Sequence, residues 1–210
     1  MNILQFVMLG IDRVRVVFFT AYWTGIARLN LKCWGVSVGR GFACKGRIKI
    51  RNRGRVCIGN NVIFSSGSAV NFVGCGMRLA LQTIGSESQI SIGDNVGISS
   101  SVLIARDRIE IGDNTLIGGG TAIYDNDFHQ LNSSSRLRGV GVIAASPVTI
   151  GKNVWVGGHS VILKGVSIGD QSIIGAGSVV THSIPSGVLA AGNPARVIKK
   201  LDYSESGEPA

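Results

Sequence analysis

Between Ile150 and Val180 the chain repeats in sixes: Ile150-GKNVW, Val156-GGHSV, Ile162-LKGVS, Ile168-GDQSI, Ile174-GAGSV and Val180-THSIP. Each block opens on Ile or Val, Gly often follows, and the fifth residue is usually small or β-branched. A period of six is neither the 3.6 of a helix nor the 2 of a flat strand. Three such blocks per turn would stack Ile150 over Ile168, Val156 over Ile174 and Ile162 over Val180. The pattern therefore predicts a parallel β-solenoid with three flat sides. Each opening aliphatic points inward onto its counterpart in the next turn, because one side is too short to bury anything alone.

The same repeat begins irregularly at Val38, Cys44 and Ile50, then Ile58, Phe64 and Val70. Residues 71–88 break it, and it resumes at Ile92, Ile98, Ile104, Ile111, Ile117 and Ile123. A corner sequence recurs as CIGNN (57–61), SIGDN (91–95), EIGDN (110–114), TIGKN (149–153) and SIGDQ (167–171). Gly and Asn there are expected to supply the positive φ of tight corners. About seven turns, at about 4.8 Å each, make a rod of roughly 30–35 Å. Gly118-Gly119-Gly120 lacks the spacing of a phosphate loop and falls inside a hexad, so it reads as structural.

Charge is distributed unevenly. The net charge is +9, yet residues 1–60 carry eleven basic residues against the single acid Asp12. Six of them, Lys45, Arg47, Lys49, Arg51, Arg53 and Arg55, alternate with other residues and would share one face of an extended chain. Such a row suits an anionic partner, namely lipid headgroups, a pyrophosphate-linked sugar or a nucleic acid, or else a solvated edge that blocks end-to-end strand addition. Residues 1–35 form an apolar and basic helical segment, a helix pair or bent helix. It fails as a membrane span because Asp12, Arg13 and Arg15 interrupt it. It reads as a cap on the solenoid or as a membrane-surface contact through Phe18, Phe19, Tyr22 and Trp23. Cys33, Cys44, Cys57 and Cys75 show no metal spacing and read as reduced thiols of a cytosolic protein. Residues 202–210 read as a disordered tail.

The break between Ile123 and Ile150, a loop over 124–149, carries the chemistry. A long loop inside a compact repeat is usually functional or disordered. This one holds Asp125, Asn126, Asp127 and His129, in a protein with three histidines. His159 and His182 lie in regular coils, and the spacing of the three does not suit the zinc site of a γ-class carbonic anhydrase. No metal is expected, and no nucleic acid.

From Val38 to Leu201 the chain resembles the hexapeptide-repeat acyltransferases, most closely the maltose and galactoside O-acetyltransferases and the sugar O-acetyltransferases of bacterial surface polysaccharides. The residues that carry the resemblance are the hexads, DNDFH (125–129), IGKNVWVGGHSVI (150–162), IGAGSVV (174–180) and AAGNPARVIKK (190–200). The resemblance implies a left-handed parallel β-helix over 36–201 and a homotrimer with active sites between neighbouring rods. It implies that His129 is the general base that deprotonates an acceptor hydroxyl attacking acetyl-CoA, a role suited to an imidazole at neutral pH. Asp125 or Asp127 would orient His129 or bind the sugar, or else only shape the turn. Trp155, Gly158, Ala176 and Thr181 would line the pantetheine arm, and Arg196 and Lys199 the coenzyme phosphates. Ser99 stands where family members acting on free sugars carry an Asn, and their N-terminal helical domain is replaced here by segment 1–55. Both departures point to a lipid-linked or surface-glycan acceptor, met in the cytoplasm at the inner membrane face. An amino-sugar N-acetyltransferase and a non-catalytic scaffold are the alternatives.

Overall fold

The computed structural model describes residues 3–67, 73 and 76–202, with side chains from residue 16 onward. A long helix, α1 (Ile3–Cys33), leads into a left-handed parallel β-helix of three walls. Wall A stacks Ser37–Val38, Arg55–Ile58, Gln89–Ile92, Arg108–Ile111, Val148–Ile150 and Ser167–Ile168. Wall B stacks Ala43–Lys45, Ile63–Ser65, Gly97–Ser99, Leu116–Ile117, Trp155–Val156, Ile173–Ile174 and Val188–Gly192. The antiparallel strand Ala195–Lys200 then closes the far edge of wall B. Wall C stacks Lys49–Arg51, Ala80–Thr83, Val102–Ala105, Ala122–Tyr124, Val161–Ile162 and Val179–Val180. Six full coils result, and Ile184 and Val188–Gly192 begin a seventh.

The register follows the period of eighteen: Ile150 lies over Ile168, Val156 over Ile174 and Ile162 over Val180. The inward column of wall C, Ile50, Leu81, Leu103, Ile123, Ile162 and Val180, is buried throughout. Each such side chain contributes about 1.5–3 kcal/mol by leaving water. The small fifth residues of the hexads also point inward at the corners. There the hydroxyls of Ser160 and Ser178 donate to the carbonyls of Gly157 and Gly175, three residues back.

Coil three departs from the count of six. Leu103, not Ile104, occupies the core, with Ala105 beside it, while Ile104 faces outward between Gln82 and Tyr124. The strand Val102–Ala105 is four residues long, and the two-residue alternation of an extended chain overrides the hexad there. The interruption falls within coil two, between Ile63–Ser65 and Ala80–Thr83, and is narrower than the 71–88 of the sequence reading, since Ala80–Thr83 is a regular wall strand.

The recurring corner divides its labour differently from expectation. The Asn and Gln residues, Asn61, Asn95, Asn114, Asn153 and Gln171, take the positive φ, between 55° and 58°. Asn61 and Asn95 each donate from the side-chain amide to the Asn of the next coil. The Gly before them is needed for closeness. A Cβ on Gly112 would lie 2.6 Å from the carbonyl carbon of Gly151. The intervening Asp accepts a backbone N–H from the previous coil, as Asp113 does from Asp94 and Asp94 from Asn60.

The helix is one continuous element rather than a bent pair, and its C-terminal part lies across the first coil. Ala27 and Leu31 are buried, with Phe42 beneath them. Thr24 Oγ1 accepts from Cys44 N at 2.9 Å and donates to Cys44 O at 3.3 Å. These two groups belong to the edge strand of wall B and have no coil above them to pair with, so one hydroxyl completes both. The six alternating basic residues do point outward, but not on one face. Lys45 belongs to wall B and Lys49 and Arg51 to wall C of the first coil, and Arg55 to wall A of the second, so the charge winds around this end of the rod. The tail beyond Asp202 lies outside the described residues.

Candidate functional site

The loop that leaves wall C at Tyr124 is rooted by buried polar groups. Asp125 is fully buried, and its carboxylate accepts from Arg106 N (2.8 and 3.0 Å), Asp107 N (2.7 Å) and the Asn126 side-chain amide (3.0 Å). It has no surface left for a sugar, so of the expected roles for Asp125 the geometry supports turn-building rather than substrate contact. Asn126 Oδ1 accepts from Phe128 N at 3.0 Å, and Asn126 pairs with Ala145 across the loop neck. Phe128 adopts φ 60° and packs edge-on against Tyr124, with ring centroids 5.0 Å apart. These contacts turn the next residue, His129, out into solvent. Its backbone N–H donates to Asp127 O at 2.6 Å. Among the described residues no carboxylate is hydrogen-bonded to the His129 ring, so neither Asp orients it within one chain. Asp127 instead pairs with Lys164 at 3.2 Å, leaving its Oδ2 buried without a partner among the described residues. Beyond His129 a short helix, α2 (Ser133–Arg138), is capped by Asn132 and ended by Gly139 at φ 66°.

Lys164 escaped the sequence reading. Lys164 sits inside an ordinary-looking hexad, but Ile123, Ile162 and Val180 are in register. Tyr124, Leu163 and Thr181 therefore follow one another along the edge between walls C and A. That edge gathers Asp127, Lys164, Thr181 and His182, and Thr181 Oγ1 lies 2.8 Å from His182 Nδ1.

The residues expected to meet the coenzyme lie mainly elsewhere. Trp155 stands on the outer face of wall B, half exposed, in a column that runs Ile63, Gly97, Leu116, Trp155, Ile173, Leu189 and Lys199. Three strand steps separate Trp155 from Lys199, about 14 Å. Arg196 lies on the same last strand, opposite Ala191. Gly158 and Ala176 occupy successive turns of the edge between walls B and C, where side chains are nearly absent. A Cβ on Gly157 would fall 2.5 Å from Ala176 N, and one on Gly158 would fall 2.9 Å from Gly119 O. His159 also sits on this edge, with Nε2 3.1 Å from Val73 O. Ser99 ends a wall B strand beside Ser65.

The expected site residues of a single chain thus fall in two separate groups. His129, Asp127 and Thr181 lie at the C–A edge, while Trp155, Gly158, Ala176, Arg196 and Lys199 lie on wall B and its edge with C. The outer faces differ in kind. Wall A exposes Ser37, Cys57, Ser91, Glu110, Thr149 and Ser167 in one column, all small or polar. Wall C exposes Ala80, Val102, Ala122, Val161 and Val179, and wall B the column that holds Leu116 and Trp155. Between the charged ends at Lys49 and Lys199 these two columns are largely apolar, and their walls adjoin at the glycine-rich edge. No group of three His, Cys, Asp or Glu among the described residues is placed to hold a metal ion.

Comparison with known proteins agrees with this architecture. The family profile described as "Hexapeptide repeat of succinyl-transferase" matches residues 147–182. The chain is 44% identical over 116 residues to galactoside O-acetyltransferase of Escherichia coli K12, covering 55% of this chain and 56% of that protein. It spans about half the length of the curated relatives it matches. Among solved structures, a hexapeptide-repeat acetyltransferase of Vibrio cholerae is 35% identical over 58% of this chain and 68% of its own, with a TM-score of 0.52. The same protein in complex with acetyl coenzyme A aligns at 28% identity over 74% and 72%, also with a TM-score of 0.52. The N-acyltransferase AntD of Bacillus cereus, with dTDP-4-amino-4,6-dideoxyglucose and coenzyme A, is 25% identical over 82% of this chain and 88% of its own, with a TM-score of 0.64. With its coils in the register the repeat demands and its likeness to the Vibrio protein over two thirds of that chain, this protein belongs to the hexapeptide-repeat acetyltransferase family.

Proposed function

We propose that the protein is a cytoplasmic acetyltransferase that moves the acetyl group of acetyl-CoA to a sugar hydroxyl, and that it works as a homotrimer. The observation that carries this reading is the split site. Two adjoining, largely apolar walls must be covered, and a closed threefold assembly covers both if wall C of each rod packs on wall B of the next. The C–A edge with His129 then faces the neighbour's Trp155 column. Neither half is complete alone.

In this reading the coenzyme lies along wall B. Trp155, Gly158, Ala176 and a neighbour's Thr181 flank its pantetheine arm, and Arg196 and Lys199 face its phosphates. Small residues let backbone groups approach the arm, and cations at the closing strand offset the phosphate charge. His129 takes the proton of the acceptor hydroxyl as that oxygen attacks the thioester carbonyl. A corner N–H stabilises the tetrahedral oxyanion. The C–S bond then breaks, and the imidazolium returns its proton to the departing thiolate. Asp127 and Ser99 lie on the acceptor side, with Lys164 holding Asp127 in place. The acceptor is lipid-linked or part of a growing surface glycan, and the basic first coil and α1 hold the enzyme at the membrane face. Among the described residues no helix is long and apolar enough to cross a membrane. Transfer to the amine of an amino sugar is the second reading, favoured by the AntD complex.

The test is complementation. His129→Ala is expected to lower kcat about 10²–10⁴-fold with coenzyme binding unchanged. Trp155→Ala is expected to weaken coenzyme binding. Co-expressed, the two impaired variants show more activity than either alone if the site lies between copies. Full activity in His129→Ala would remove the general base, and no regain in mixed oligomers would place the site within one chain.

A further inference from the structure

The N-terminal helix and the first two coils border two adjoining clefts that the proposed acetyl-transfer site does not use. The larger, about 340 Å³, is bounded by Tyr22, Trp23, Ile26, Arg47 and Arg78. The smaller, about 250 Å³, shares Trp23, Arg47 and Arg78 and adds Phe19 and Ser66. The Arg47 guanidinium lies over the Trp23 ring, 5.4 Å from its centre, a cation–π contact at the cleft wall. Among the described residues neither Arg47 nor Arg78 has a carboxylate within ion-pair distance. The Trp23 indole N–H is buried and has no acceptor among them. Two guanidinium groups without an ion partner among the described residues line one opening and lack an anion with acceptor oxygens.

The cleft opens beside an apolar stripe. Phe18, Tyr22, Ile26 and Leu29 recur at intervals of four, four and three residues, so they share one face of α1, and they are 72%, 62%, 40% and 65% exposed. Tyr22 and Ile26 belong to both the stripe and the cleft wall. Arg28 and Lys32 flank the stripe, and the basic residues around this end of the rod lie next to it. A soluble phosphate would answer the arginines but leave the stripe in water. An anionic phospholipid answers both, with its phosphate between the guanidinium groups and its acyl region along the helix.

We infer that the Arg47–Trp23–Arg78 cleft seats the phosphate of an anionic phospholipid and docks α1 flat on a membrane surface. The inference deepens the reading of a membrane-presented acceptor. Coenzyme binding by the same variants reports on the acetyltransferase reading separately, so either can fail alone.

The experiment is co-sedimentation of the full chain with vesicles of phosphatidylglycerol in phosphatidylcholine, and with phosphatidylcholine alone. Binding to the anionic vesicles only is expected. Each basic residue near such a surface is worth about fivefold, so Arg47→Ala with Arg78→Ala should weaken binding roughly 30-fold. Phe18→Ser with Leu29→Ser should also weaken it. Arg40→Ala with Arg55→Ala removes the same charge from outside the cleft and is expected to cost less. Equal loss in that pair would mean diffuse attraction and overturn the cleft. Absent binding, or equal binding to neutral vesicles, would overturn the membrane surface. With Trp34→Phe and Trp155→Phe as background, Trp23 emission should shift on adding anionic vesicles. The same shift with millimolar inorganic phosphate alone would make the ligand a free phosphate and end the lipid assignment.

Discussion

Replacing Asp125 by Ala separates a structural carboxylate from a substrate-binding one. In the folded chain this carboxylate is fully buried and takes three donors: Arg106 N, Asp107 N and the Asn126 amide. Removing it strands all three in a site closed to solvent. Hydrogen bonds to a charged group contribute about 1.5–3 kcal/mol each, and losses around one acceptor are not additive, so about 3–5 kcal/mol is expected in total. For a chain of this size that is a fall of roughly 6–20 °C in Tm. Asp125→Asn keeps one acceptor oxygen but turns an amide toward a backbone N–H, and should lose about half as much. Circular dichroism melts, with calorimetric titration of acetyl-CoA on the same samples, read the effect. Asn126 carries the strain onward to Phe128 N, so turnover should fall in both variants while coenzyme affinity stays near wild type. A Tm within about 2 °C of wild type, with a raised KM for the acceptor alone, would refute the reasoning and return Asp125 to the substrate.

Thr24→Val keeps the shape of the side chain but leaves Cys44 N and O without partners at the open end of wall B, and should cost about 1–3 kcal/mol in denaturant unfolding. Gly112→Ala forces coils four and five apart and should cost about 1–3 kcal/mol, whereas Gly25→Ala, in open space on α1, should stabilise by about 0.5–1 kcal/mol. Burial pushes the Cys44 thiol from 9.0 up to about 12. In that window the unfolded chain has lost a proton that the native chain keeps, so stability should decline as pH rises from about 9 toward 12. Cys44→Ala should flatten this limb of the curve. In native protein iodoacetamide should label the exposed Cys33 and spare Cys44.

The inward columns were legible because the hexad obeys simple stereochemistry: one aliphatic per side, stacked at a fixed interval. Ile104 misled because a four-residue strand alternates by two, and nothing in a count of six announces where a strand lengthens. The corner Gly and Asn were both recognisable, and the Asn takes the positive φ expected of it, whereas the Gly answers a different need. Positive φ belongs to a residue's own backbone, whereas the closeness that demands Gly112 comes from a coil thirty-nine residues away. The basic residues read as one row because alternation was assumed to continue through two corners. At the site, His129 stood out as an imidazole beside two carboxylates in the longer of the two interruptions. Lys164 did not, because its partner Asp127 is near only after the loop folds back over the next coil. The separation of the expected residues onto two edges was hidden too, since sequence distance says nothing about which wall a hexad occupies.

The column from Trp155 to Lys199 also makes the rod a length standard. Every strand step adds the same increment, so the interval between the aromatic and the cationic ends is counted in whole coils rather than adjusted by side chains. Duplicating residues 150–167 would insert one more coil with every inward aliphatic still in register. The fold should survive, but the Trp155 that keeps its native neighbour Leu116 would stand about 19 Å from Lys199 instead of about 14 Å. A ligand of fixed length could then satisfy one end or the other, but not both.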